Sequence, residues 1–308
     1  MENMINKKLS QMIITAALVL TSVSCASQGP ITDMKNPLID QPGMSDPHAI
    51  VEGEYVYIFT GHDVGVDQPM WVMPNWRIFR SKDFKSWEHV GTIDPKDNFM
   101  GEGHTSCWAG DVVKKNGKFY WYFSNHNINT GVMVADQIEG PYKDALGKPI
   151  IDSFDPSIFV EDDGSCYIIV GHHSEYKIAR LKDSMIELAE TPKDIIIDRT
   201  DAPVDFPRMD KNAIHKYNGT YYLSCSGYYA TSDNLYGPYK VRGVVGADYE
   251  LDTPYGHGEF FEFKGHWYHV WCKYLDRKHD RIRECHIAPV IYEADGTMRT
   301  DLSVIKGK

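Results

Sequence analysis

One pattern recurs five times along this 308-residue chain: a turn bearing glycine, then alternating aromatic and β-branched residues. The copies span residues 51–59, 115–123, 162–170, 217–224 and 263–271, with Gly53, Gly117, Gly164, Gly219 and Gly265 in the turns. Asn-Gly and Asp-Gly accept the positive φ of a tight hairpin, so each copy reads as two antiparallel strands. A second element follows each copy, at 81–87, 135–142, 179–183, 230–239 and 287–296, and is expected to supply outer strands of the same unit. The period, about 45 to 65 residues, suits four-stranded propeller blades. No apolar spacing of three and four is sustained long enough for a long amphipathic helix. A β-sandwich would account for strands but not for the fivefold recurrence. The expected fold is therefore all-β, a five-bladed β-propeller forming one domain over residues 34–308.

Composition narrows the partners. A 42% hydrophobic content is enough for a large core, and a net charge of −11 excludes a nucleic-acid partner, which needs basic patches. Lys7 and Lys8 precede an apolar run over residues 12–20, then small residues and Cys25, which reads as a secretory signal over residues 1–25. The placement of Cys25 resembles the lipobox of bacterial lipoproteins. The chain is thus expected to be exported, to the periplasm or the outer membrane, with a lipid on Cys25 as its sole membrane attachment and residues 26–33 as a tether. The remaining cysteines, Cys107, Cys166, Cys225, Cys272 and Cys285, are odd in number and lack metal spacing, so they read as small core residues.

In a propeller, the strand before each Gly turn runs along the central axis. These strands open with Asp46-Pro47-His48, Trp108-Ala109-Gly110-Asp111, Asp155-Pro156-Ser157, Asp210-Lys211-Asn212 and His257-Gly258-Glu259. Asp46, Asp155, Asp210 and His257 should therefore converge on one mouth of the channel. Converging carboxylates shift one another's pKa, so that an acid and a base coexist near neutrality, as glycoside hydrolysis requires.

Together with Asp162-Asp163-Gly164, Gly140-Pro141-Tyr142 and Gly237-Pro238-Tyr239, these strand starts resemble glycoside hydrolase family 43 over nearly the whole mature chain. The resemblance implies a five-bladed propeller that cleaves arabinosyl, xylosyl or galactosyl linkages with inversion and requires no cofactor. It implies Asp46 as general base and Asp155 as the group that tunes the acid and holds the sugar. The family's general acid is a Glu eight residues before the Asn of the fourth Asn-Gly turn; here that position is Asp210, followed by Lys211 and Asn212 in place of small and Pro residues. Asp is one methylene shorter than Glu. Either the pocket suits a different sugar, another acid such as Glu259 or Glu102 contributes, or the protein is a glycan-binding propeller without catalysis. The resemblance further implies His257 beside an axial ion, calcium or another, Arg283 as a sugar contact, and His62-Asp63 as a pair at the pocket edge. Trp71, Trp76 and Trp108 are candidates to stack on a sugar.

Overall fold

The computed structural model describes residues 29–65, 70–206, 210–246, 256–275 and 281–305; the leader and Cys25 lie outside them. Blade 1 is β1 (Met44–Glu52), β2 (Tyr55–His62), β3 (Trp76–Ser81) and β4 (Glu88–Ile93), and blade 2 is β5 (Cys107–Lys115), β6 (Lys118–Asn125), β7 (Asn129–Ala135) and β8 (Lys143–Asp144). Blade 3 is β9 (Ser157–Val160), β10 (Cys166–His172), β11 (Glu175–Arg180) and β12 (Lys193–Asp194). β13 (Ile197–Asp198) crosses over to pair, in parallel, with the outer edge of blade 4. That blade continues as β14 (Asn212–Tyr217), β15 (Thr220–Cys225), β16 (Tyr228–Ser232) and β17 (Tyr239–Val244). Blade 5 is β18 (Gly258–Phe263), β19 (His266–Tyr274), β20 (Arg283–Tyr292) and β21 (Met298–Thr300).

The turns are those the sequence predicts. Asn116-Gly117, Asn218-Gly219 and Lys264-Gly265 have positive φ at both central positions, the two-residue geometry whose twist matches that of the flanking strands. The innermost strands close a ring, since β1 touches β5, β5 touches β9, β9 touches β14, β14 touches β18 and β18 touches β1.

Alternation along the second strand of each blade explains the repeat. In β2, Tyr57 and Phe59 pack toward blade 2 while Val56 and Ile58 pack toward blade 5. In β6, Phe119, Trp121 and Phe123 face blade 1 while Tyr120 and Tyr122 face blade 3. Each blade is buried on both faces, so successive side chains must all be apolar or aromatic. A hydrophobic cluster fills each of the five interfaces between neighbouring blades. The free thiols Cys107, Cys166, Cys225, Cys272 and Cys285 are all buried within them.

The seam between blades 1 and 5 is covered by residues 31–43. Ile31 N–H donates to Tyr268 Oη at 2.7 Å, and the fully buried Leu38 donates its N–H to Cys285 O at 2.9 Å. The end of the expected tether is thus docked on the propeller.

The expected outer elements differ in kind. Residues 81–87 and 135–142 are turns between third and fourth strands, and residues 179–183 leave β11 for a turn. Ser81 Oγ accepts the Phe84 N–H at 2.9 Å, and Asp83 Oδ1 accepts that of Lys85 at 2.9 Å. Short Ser and Asp side chains that bond the following amides make turns, and the strands beyond them are shorter.

Candidate active site

Three of the innermost strand starts bend through the left-handed region: φ is 46° at Asp46, 54° at Asp155 and 37° at Lys211. Such backbone is costly for a residue with a Cβ and is tolerated best by Asp and Asn, whose short side chains find local partners. At Asp46 the pairing of β1 with β2 also slips between Ser45 and His48, a bulge of the kind that re-aims a side chain. Asp46, Asp155 and Asp210 all line one cavity of about 230 Å³, with His257, Arg283, Trp71 and Trp108 in its walls.

Asp46 is clamped. Arg283 donates from Nη1 to Asp46 Oδ1 at 2.6 Å and from Nη2 to Oδ2 at 3.0 Å, a bidentate fork, and His257 Nδ1 lies 2.6 Å from Oδ1. Burial alone would raise this carboxyl, but the Arg283 charge, then His257, outweigh it and hold it well below the usual carboxylate range. Arg283 is itself fixed by Asp63, which accepts from Nε at 2.9 Å, from Nη2 at 3.0 Å and from the Arg283 N–H at 3.0 Å. Its guanidinium also sits 5.2 Å from the centre of the Trp71 ring, over which Arg281 lies at 4.5 Å.

The other two carboxyls are biased the opposite way. Burial pushes Asp155 up to about 6; His257 and Lys211 oppose the rise, while Asp210 and Asp46 add to it. Burial likewise raises Asp210, against the pull of His257 and His173, with Asp46 adding to the rise. One carboxylate kept ionised beside two that favour their protons is the division of labour that acid–base catalysis uses.

Lys211 and Asn212 hold the Asp155 turn. Lys211 Nζ donates to Pro156 O at 2.6 Å, Asn212 Nδ2 donates to Asp155 O at 3.2 Å, and Ser157 Oγ donates to Asn212 Oδ1 at 2.5 Å. The buried lysine therefore points along the ring of strand starts and leaves the cavity open.

The geometry does not gather cation ligands around His257, whose Nδ1 faces Asp46. Among the described residues, the His, Asp and Glu side chains close enough to share a metal are His48, Asp111 and Glu259, with ligand atoms within 4.8 Å of one another. The two carboxylates suit a hard cation, and the imidazole suits a borderline transition ion. Yet Lys211 is buried near both of these carboxylates: burial lowers its amine, and Asp111 and Glu259 pull it back up.

Several expected contacts fall elsewhere. Trp76 is fully buried, edge-on to Trp121 at 5.8 Å with its Nε1–H donated to Trp108 O at 2.7 Å; it is blade packing, not a sugar platform. His62 pairs with Asn75 at 2.9 Å and Arg77 at 2.5 Å, outside the cavity walls. Asp63 lies beneath Arg283 and acts through it. Glu102 is exposed and away from the cavity, and Glu259 is held by the Ala49 N–H at 2.7 Å in the deeper layer with His48. Neither lines the cavity that holds Asp210. Trp108 does line the cavity, stacked on His126 at 4.2 Å and edge-on to Trp71 at 6.0 Å. The structure adds His172, His173, Phe154 and Arg281 to the walls. His172 ends β10, and His173 opens a turn with no glycine to mark it.

Residues 34–298 match the model of the glycosyl hydrolases family 43. A xylosidase/arabinosidase of Bacteroides ovatus is 30% identical, the alignment covering 89% of this chain and 98% of that one. An arabinoxylan arabinofuranohydrolase of Paenibacillus polymyxa is 28% identical over 94% of this chain, which spans 55% of that relative's length. A family 43 enzyme of Xanthomonas citri, solved with xylotriose, superposes with a TM-score of 0.76 at 28% identity, covering 87% of this chain and 93% of the other. With the propeller and its three axial carboxyls, these matches establish that the chain belongs to glycoside hydrolase family 43.

Proposed function

We propose that this protein is an exported, inverting glycosidase that releases a neutral sugar, α-L-arabinofuranosyl or β-D-xylosyl, from plant-type polysaccharides or oligosaccharides. The observation that carries this reading is the split in protonation across one cavity: Asp46 held ionised by Arg283 and His257, Asp155 and Asp210 raised. Asp46 takes a proton from the attacking water. Asp210 lies on the leaving-group side as the acid. Asp155, in the same cavity, holds the sugar, and burial with the Asp46 charge favours the proton on Asp210. Inversion requires about 6.5 to 9.5 Å between base and acid, room for one water. Trp71 and Trp108 offer apolar faces for the sugar ring. The names of the relatives, xylosidases and arabinofuranohydrolases, favour pentosyl substrates. Export rests on the N-terminal run ending at Cys25, with lipidation there as the membrane attachment.

The second reading, a glycan-binding propeller without catalysis, draws on the shortened acid at Asp210. A panel of aryl pentosides with arabinan, xylan and galactan oligosaccharides, tested on wild type and Asp46→Ala, separates the two. Release by wild type and its loss in Asp46→Ala supports the enzyme. Binding of the same sugars without release by either supports the alternative.

A further inference from the structure

The hairpin from β10 to β11 is closed by the pairing of His172 with Glu175, and its two turn residues, His173 and Ser174, have φ of 54° and 58°. Elsewhere such turns carry glycine at the second position, as in Asn116-Gly117, Asn218-Gly219 and Lys264-Gly265. Putting His and Ser there costs conformational energy, and strain of this kind collects where a side chain must be aimed. The His173 imidazole lines the cavity, and its Nε2 lies 3.8 Å from Asp210 Oδ1. The His173 side chain is 47% exposed, against 12% for that of Asp210. Asp210 Oδ1 is buried without a hydrogen-bond partner. The shortened acid thus shares the cavity wall with a more exposed imidazole beside it.

We infer that His173 and Asp210 form one proton-donating unit, in which the His173 imidazolium protonates the leaving oxygen and Asp210 orients the ring. The inference rests on the glycosidase reading above and refines its acid, moving the delivered proton from Asp210 itself to the imidazole beside it. As the glycosidic C–O bond breaks, its electron pair goes to the leaving oxygen, which takes the proton from Nδ1, the ring nitrogen that does not face Asp210. The water oxygen bonds the anomeric carbon from the opposite face and its proton passes to Asp46. Solvent exchange then returns Asp46 and His173 to their starting states. The ionisable groups facing the pair are His172, whose ring lies 4.4 Å from that of His173, with Asp46, Asp155 and His257 across the cavity.

The test uses the full chain and His173→Gly, since glycine fits the positive φ better than histidine and removes only the imidazole. Rates are measured on a pentoside with a poor alkyl or sugar leaving group and on its dinitrophenyl counterpart, which leaves without a proton. The account expects a loss of about 100-fold or more on the first and little change on the second, the range for a lost general acid. Added imidazole should restore the first rate. Asp210→Asn should show the same selective loss, and the double variant should be no slower than either single one. The inference is overturned if His173→Gly leaves the leaving-group dependence unchanged while Asp210→Asn steepens it, which would assign the proton to Asp210 alone. A wild type inactive on both substrates removes the glycosidase reading itself, a distinct result.

Discussion

Arg283→Gln probes the electrostatic centre of the site. The substitution removes the fork on Asp46 and the two side-chain hydrogen bonds to Asp63, keeps the one from the Arg283 backbone N–H, and leaves two buried carboxylates with His257 Nδ1 beside Asp46. Breaking a buried ion pair from one side costs about 3–5 kcal/mol. A chain of this size loses roughly 2–4 °C of melting temperature per kcal/mol, so the expected fall is about 6–20 °C at pH 8. The pH dependence carries the sign. In wild type the Asp46 carboxyl titrates below its unfolded value, so its contribution is present above about pH 4 and lost only in stronger acid. In the variant the orphaned carboxyls are raised above their unfolded values, so the penalty is greatest at pH 8 and shrinks as the pH falls toward 5. Thermal unfolding followed by circular dichroism from pH 5 to 8 reads both effects. A triple variant, Arg283→Met with Asp46→Asn and Asp63→Asn, should regain most of the loss and lose the pH dependence. A gap below about 2 °C at pH 8, or one of equal size at every pH, would refute the buried-pair argument.

Other substitutions test neighbouring parts. Asp155→Asn removes a carboxyl raised by burial to about 6, so the variant should melt higher than wild type above pH 6, by up to about 3 kcal/mol, and the advantage should vanish below pH 4; melting curves at the two extremes check it, and activity should fall. Asn212→Ala frees the Asp155 turn and leaves buried polar groups unmatched, which should cost about 1–3 kcal/mol in denaturant unfolding and lower kcat more than it changes KM. Gly61→Ala would put a Cβ 2.1 Å from Met73 Cε and 2.5 Å from Ser45 Oγ, directly before Asp46; a loss of about 1–3 kcal/mol with reduced kcat is expected, and an unperturbed variant would show that the floor beneath Asp46 is loose.

The five blades were legible because their inner hairpins are long, buried on both faces and closed by Gly turns. The outer strands were not: β8 and β12 are two residues each, on the rim, and their turn residues stood out more than the strands themselves. Asp46, Asp155 and Asp210 could be found because blades repeat, so equivalent strand starts meet at one axis. The tryptophans had no such guide. Trp76 and Trp108 are chemically alike, and only the pairing of Trp76 with Gly61 and Ile93 turns it into the core. His173 gave no signal because its turn, His173-Ser174, holds no glycine, and Lys211 stood only as a departure from the family's small residues until its bond to Pro156 O placed it under Asp155.

The central claim, that these three carboxyls hydrolyse a pentoside with inversion, is tested most directly by proton NMR of the first sugar released. On the β-D-xyloside or α-L-arabinofuranoside that the panel identifies, the account predicts that the opposite anomer accumulates first, before mutarotation, and that Asp46→Asn abolishes its release. Initial appearance of the same anomer as the substrate, or undiminished release by Asp46→Asn, would contradict it.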